Sequence, residues 1–124
     1  MNEIWIAAGM VNLFTACIHL FAGHFDTVLP LLDSGLDTVV QGTLYACWHI
    51  VSLLLFWSSV IFLYIGVNPT RVGSQQIAMQ LAVLYLLSGL LFMGLGFEYG
   101  LLTLPQWILI LPISGLAWLG MSRP

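Results

Sequence analysis

Apolar residues run along this chain in four long stretches separated by short polar ones. The stretches lie near Ile4–Gly23, Thr43–Val67, Gln76–Phe97 and Pro105–Met121. Each is about long enough to cross a hydrocarbon layer of about 30 Å as a helix. Between the first two lies HFDTVLPLLDSGLDTVVQG, with a Pro, two Gly and three Asp. That segment is too polar to span, and its Val28, Leu29, Leu31, Leu32, Leu36, Val39 and Val40 predict a short helix lying on the surface. GVNPTRVGSQ predicts a turn, because Pro69 disfavours helical backbone at Asn68. EYGLLTLP predicts a second tight connection, with Thr103 as cap and Pro105 tolerated in the first turn of the last helix. The expected fold is all-α: residues 1–124 form one polytopic domain, an antiparallel four-helix transmembrane bundle with an acidic loop or short interfacial helix between spans one and two.

Lipid gives no hydrophobic drive for helices to associate, so small and polar residues mark the faces that pack. On the second span a 3–4 spacing collects Gly42, Tyr45, His49, Ser52, Phe56, Ser59, Leu63 and Gly66. The first span offers Asn12, Thr15, Ala16, His19 and Gly23. The third offers Ala82, Tyr85, Gly89, Phe92 and Gly96 beside Ser88, and the fourth Thr103, Gln106, Ile110, Ser114 and Ala117. These faces are expected to meet.

Composition turns this pattern into a compartment. The chain is 60% hydrophobic and only 6% charged, where a soluble domain carries roughly 25% charged residues. Lys is absent and the cations are Arg71 and Arg123, which excludes a basic nucleic-acid face. The first apolar run follows Met1-Asn2-Glu3, without the cationic region of a cleavable signal, and reads as a retained helix. With four spans, both Arg fall on the side of the N-terminus, while Asp26, Asp33, Asp37 and Glu98 fall on the other. The positive-inside rule then places both termini in the cytoplasm. Trp5, Tyr64, Tyr99, Trp107 and Trp118 lie toward span ends, where aromatic belts form.

The candidate chemistry sits in two similar stretches, ACIH at 16–19 and ACWH at 46–49, which use both Cys and two of the three His. Residues two apart on a helix point about 200° apart. A single ion therefore cannot collect Cys17, His19, Cys47 and His49 from two regular helices. The Cys read as small apolar packing residues. The His lie on the inward stripes, roughly 7–10 Å below the outer surface by the span ends above. A polar ring inside a membrane faces a bundle interior, a partner or a pathway. His19 and His49 with Glu98 make a two-histidine, one-carboxylate set suited to a transition metal, and the two His alone suit haem. The same rings can instead bond Thr15, Tyr45, Ser52 or carbonyls and pin the packing. His24 and Asp26 are candidates in the outer loop, and Asn12 stands near mid-membrane as a polar or ligand-site residue with Tyr45.

At IHLFAGHFDTVLPLL, YACWHIVSLLLF and LPQWILILPISGLAWLG the chain resembles small four-span bacterial membrane proteins and is loosely similar to the DoxX-like group. The resemblance implies an inner-membrane four-helix protein and brings no active site with it. Two other four-span classes fit poorly. Small multidrug transporters hold a Glu inside the first span, whereas Glu3 stands at its edge, and quinone-linked disulfide enzymes need the C-x-x-C this chain lacks.

Three readings of function follow. The first is an accessory, structural or partner-binding subunit, associating with lipid and with a second copy or another membrane protein. The second is a metal- or haem-binding redox protein using His19, His49 and Glu98. The third is a transporter of a small solute or proton along Asn12, His19 and His49.

Overall fold

A computed structural model describes residues 1–122, so Arg123 lies outside the described residues. Among these the chain is helical throughout, with no strand. Helix α1 runs Glu3–Gly23 and passes through a π-helical turn, His24–Val28, into the short helix α2, Leu29–Leu32. Helix α3 covers Thr38–Val67, α4 Ser74–Tyr99 and α5 Trp107–Met121. Three helices, Glu3–Leu32, Thr38–Val67 and Ser74–Tyr99, are long and apolar enough to cross a membrane. α5 is apolar but has only 15 residues, about 22 Å of helix.

The segment after Gly23 departs from expectation. Instead of a loop with a separate interfacial helix, α1 continues to Leu32, and α3 begins at Thr38 rather than Thr43. Pro30 has no N–H to give the carbonyl four residues back. The π turn stands just before it, with Leu29 N–H donating to His24 O. The reversal is confined to Asp33–Asp37. Asp37 caps α3 by accepting from Val39 N–H at 2.9 Å, and Gln41 Nε2 donates to the terminal carbonyls of Leu31 and Leu32 at 3.0 and 2.8 Å. Gly35 supplies the positive φ of 66° that the turn needs. At the last turn Thr103 does not cap α5; Gln106 occupies the N-cap position without a side-chain bond.

Contacts fix how the helices lie. Along α1 and α3, Asn2 meets Gly66, Asn12 meets Leu55, and His19 meets Trp48, numbers falling on one as they rise on the other. Ser114 Oγ of α5 donates to Ala82 O of α4 at 2.7 Å, and a Cβ on Gly89 would lie 2.4 Å from Leu111 Cδ2. The start of α1 also meets the end of α5, where Asn2 Nδ2 donates to Gly120 O and Trp5 Nε1 to Ala117 O. α3 and α4 touch at few points.

The buried cluster is built largely from small residues, Ala8, Ala16, Ala78, Ala82 and Ala117, around Trp5, Phe62, Ile65 and Ile113. This is the composition that close helix approach demands when dispersion replaces the hydrophobic effect. The expected faces hold along much of the helices: Asn12, Thr15 and Ala16; Ser52, Ser59 and Gly66; Ala82, Tyr85, Gly89 and Gly96; Ser114 and Ala117 are all buried. On α3 the stripe fails above Ser52, where Tyr45 is half-buried and His49 and Gly42 are exposed.

Candidate functional site

Asn12 is fully buried on α1, and it joins a closed ring of polar side chains from three helices. Its Nδ2 donates to Ser58 Oγ of α3 at 2.8 Å, and Tyr85 OH of α4 donates to Asn12 Oδ1 at 2.8 Å. The two hydroxyls, Ser58 Oγ and Tyr85 OH, lie 2.6 Å apart. With Tyr85 giving its proton to Asn12, Ser58 is the donor that closes the ring. Each member then donates once and accepts once around the cycle. The second amide N–H of Asn12 goes to Leu55 O at 3.2 Å. Ser58 Oγ also lies 2.6 Å from Leu54 O, an alternative acceptor for its proton. Every polar atom of the carboxamide is therefore satisfied without water, which is what a buried amide in a membrane protein requires.

Helical periodicity assigns Asn12 and Tyr85 to packed faces without connecting them, and the expected α3 stripe does not include Ser58. The missing signal was depth. Asn12, Ser58 and Tyr85 all lie about 14–17 Å from the same end, counted from Glu3, Val67 and Ser74. Three polar side chains at one depth on three neighbouring helices are natural partners.

A second cluster occupies the other end of α1 and α3. The His19 ring stacks on Trp48, centroids 3.8 Å apart and planes 18° off parallel, and His19 Nε2 lies 3.4 Å from Trp48 O. Trp48 fits because Gly23, one turn beyond His19, leaves room: a Cβ there would lie 2.4 Å from Trp48 Cη2. His49 turns to Tyr45, edge to face at 4.6 Å. Trp48 belongs to the ACWH stretch, but an indole among apolar residues carries no sequence pattern that marks this role.

Other candidate residues lie elsewhere. Glu98 is exposed in the last turn of α4, and His24 and Asp26 are exposed in the π turn, with His24 edge-on to Phe25. Among the described residues there is no group of three or more His, Cys, Asp or Glu that could hold a metal ion, so His19, His49 and Glu98 do not form one. The longer helices also change how far the His stand from the helix ends. Measured from Leu32 and Thr38, His19 and His49 lie about 16–20 Å from the helix ends rather than 7–10 Å. Cys17 is half-buried and Cys47 exposed.

Gly23→Ala tests the stack. The added methyl must push the indole off His19, and overpacking of this kind costs about 1–3 kcal/mol. The ring-current displacement of the His19 proton signals is expected to vanish, as it would in Trp48→Leu. Unchanged His19 signals in Gly23→Ala would show that the indole sits elsewhere.

No family model matches this chain, and no curated protein or solved structure matches it either.

Proposed function

We propose that the chain is an integral inner-membrane protein whose four helices cross antiparallel with both termini in the cytoplasm, and that it serves as a small accessory subunit binding a membrane partner. The observation that carries this reading is the Asn12–Ser58–Tyr85 ring. The polar side chains at the middle of the bundle are taken up by one another, in the manner of a helix lock rather than of a site awaiting substrate. The falling contact order of α1 against α3 and α4 against α5 supports the antiparallel arrangement.

α3 supplies the flank for a partner. It packs along α1 but meets α4 sparingly, and Leu53, Phe56, Trp57 and Val60 border an apolar groove on it. Those positions follow the i, i+3, i+4, i+7 spacing by which one helix lies against another. Arg71 on the α3–α4 turn supports the orientation, with Asp33 and Asp37 on the opposite turn.

Native electrophoresis of gently solubilised membranes tests the assembly. The chain is expected in a species larger than its 13.7 kDa mass, losing that mobility when Trp57 is replaced by Glu. A wild-type chain migrating alone would sink the subunit reading. Topology is read in a background with Cys17 and Cys47 replaced by Ala. An impermeant thiol reagent should label Ser34→Cys in intact cells, and Val72→Cys only after permeabilisation.

A further inference from the structure

A cavity of about 400 Å³ opens at the end of the bundle where α1 starts and α4 follows the turn from α3; Asn2, Trp5, Thr70, Arg71, Gln75 and Gln76 line it. We infer that it seats the phosphate of an anionic phospholipid headgroup, with Arg71 as the charged partner; this rests on the membrane reading above and adds a ligand to it.

The wall has the right chemistry. Arg71 is the sole cation among the side chains of the described residues. Its guanidinium is held in place by donating to Tyr64 OH and lying 5.4 Å from the centre of that ring. Tyr64 is neutral, so this anchoring fixes the cation without cancelling its charge. A guanidinium carries five N–H donors, and one bond to a phenol leaves most of them for a phosphate. Gln75, Gln76 and Thr70, all with polar side chains, are residues of the same wall. Glu3, the acid of this end, is exposed in the first turn of α1 and does not line the cavity.

The surroundings point to a lipid rather than to free phosphate. Val72, next to Arg71, is 99% exposed at the tip of the turn. The turn that carries Arg71 is thus uncovered, and a headgroup at the membrane surface can reach it. Tyr64, exposed beside Arg71, is an amphipathic aromatic of the kind that gathers at that level. In the proposed orientation this end faces the cytoplasmic leaflet, whose anionic lipids attract juxtamembrane cations.

The experiment is lipid exchange followed by native mass spectrometry, with the full chain in nanodiscs of equal parts phosphatidylglycerol and phosphatidylcholine. Wild type is expected to retain phosphatidylglycerol about fivefold over phosphatidylcholine, the preference that one cation near an anionic surface supplies. Arg71→Gln should abolish the preference and Arg71→Lys keep part of it. Gln76→Glu, which leaves Arg71 in place, should weaken it. Equal retention of the two lipids by wild type, or an undiminished preference in Arg71→Gln, overturns the site. Inorganic phosphate at millimolar concentration displacing the lipid completely would assign the cavity to a soluble phosphate instead. A chain that alkaline carbonate strips from membranes fails the membrane reading; a carbonate-resistant chain without lipid preference fails only this inference.

Discussion

Replacing Trp5 with alanine is expected to lower the unfolding free energy of the detergent-solubilised protein by about 3–5 kcal/mol, the range for emptying a buried aromatic site. Trp5 is 1% exposed and ties the start of α1 to the end of α5. Its Nε1 donates to Ala117 O at 3.1 Å, and its ring fills the space over Gly120, where a Cβ would lie 2.2 Å from Trp5 Cδ1. Beside it, Asn2 accepts from Trp5 N–H and donates to Gly120 O. Alanine would open a cavity and leave the Ala117 carbonyl without its indole donor. α5 has 15 residues and is the shortest of the four long helices, so it has the least surface among them with which to hold its place. Trp5→Phe keeps most of the apolar area and loses the indole donor, so its cost should fall to about 1 kcal/mol. Denaturation in mixed micelles, or steric trapping, reads both variants. A loss below about 1 kcal/mol for Trp5→Ala would mean that α5 is held by other contacts.

Asn12→Leu is expected to cost about 2 kcal/mol, within the range for leaving buried polar partners unsatisfied. Interhelical hydrogen bonds in membranes average nearer 0.6 kcal/mol, because the separated helices find other partners. Two features raise the figure here. Asn12 links α1 to both α3 and α4, and the ring closes, so each bond polarises the next. After the substitution Tyr85 OH and Ser58 Oγ can still bond each other, which caps the loss. The test is a double-mutant cycle with Tyr85→Phe. Because both changes open the same ring, the double variant should be little worse than Asn12→Leu alone, with a coupling of about 1 kcal/mol. Strict additivity would show that the three groups do not act as a unit.

The polar middle of the bundle was half legible. Asn12, Tyr85, Gly89 and Gly96 could be assigned to packed faces because a helix repeats every 3.6 residues and lipid drives small and polar residues inward. Ser58 falls outside the α3 stripe because it lies about 100° around the helix from Ser59, the serine that the 3–4 spacing takes in. The expected outer stripe of α3 also failed for a physical reason. Tyr45 and His49 continue the correct spacing, but above Ser52 too little of the other helices lies against them to bury them. A face is set by period; whether it is covered depends on the lengths and tilts of neighbours.

Helix ends showed the same division. Asn68-Pro69 stopped α3 where expected, because the proline restriction is local. Pro30 did not break the first helix, because a π turn carried the chain past it. That extension leaves His19 and His49 farther along their helices from the ends than the expected spans imply, and among the described residues His19, His49 and Glu98 form no ligand group.

The sequence by itself determined the class of this protein: helices, their approximate bounds, an apolar exterior and the residues able to pack. Those follow from periodicity and transfer free energy, which act residue by residue. Only the tertiary structure decided that Asn12, Ser58 and Tyr85 close a ring, that Trp48 lies on His19 over Gly23, and that Trp5 pins α5. Such pairings depend on the relative rotation and depth of separate helices. Many side-chain combinations satisfy the same apolar pattern, and only packing in three dimensions selects among them.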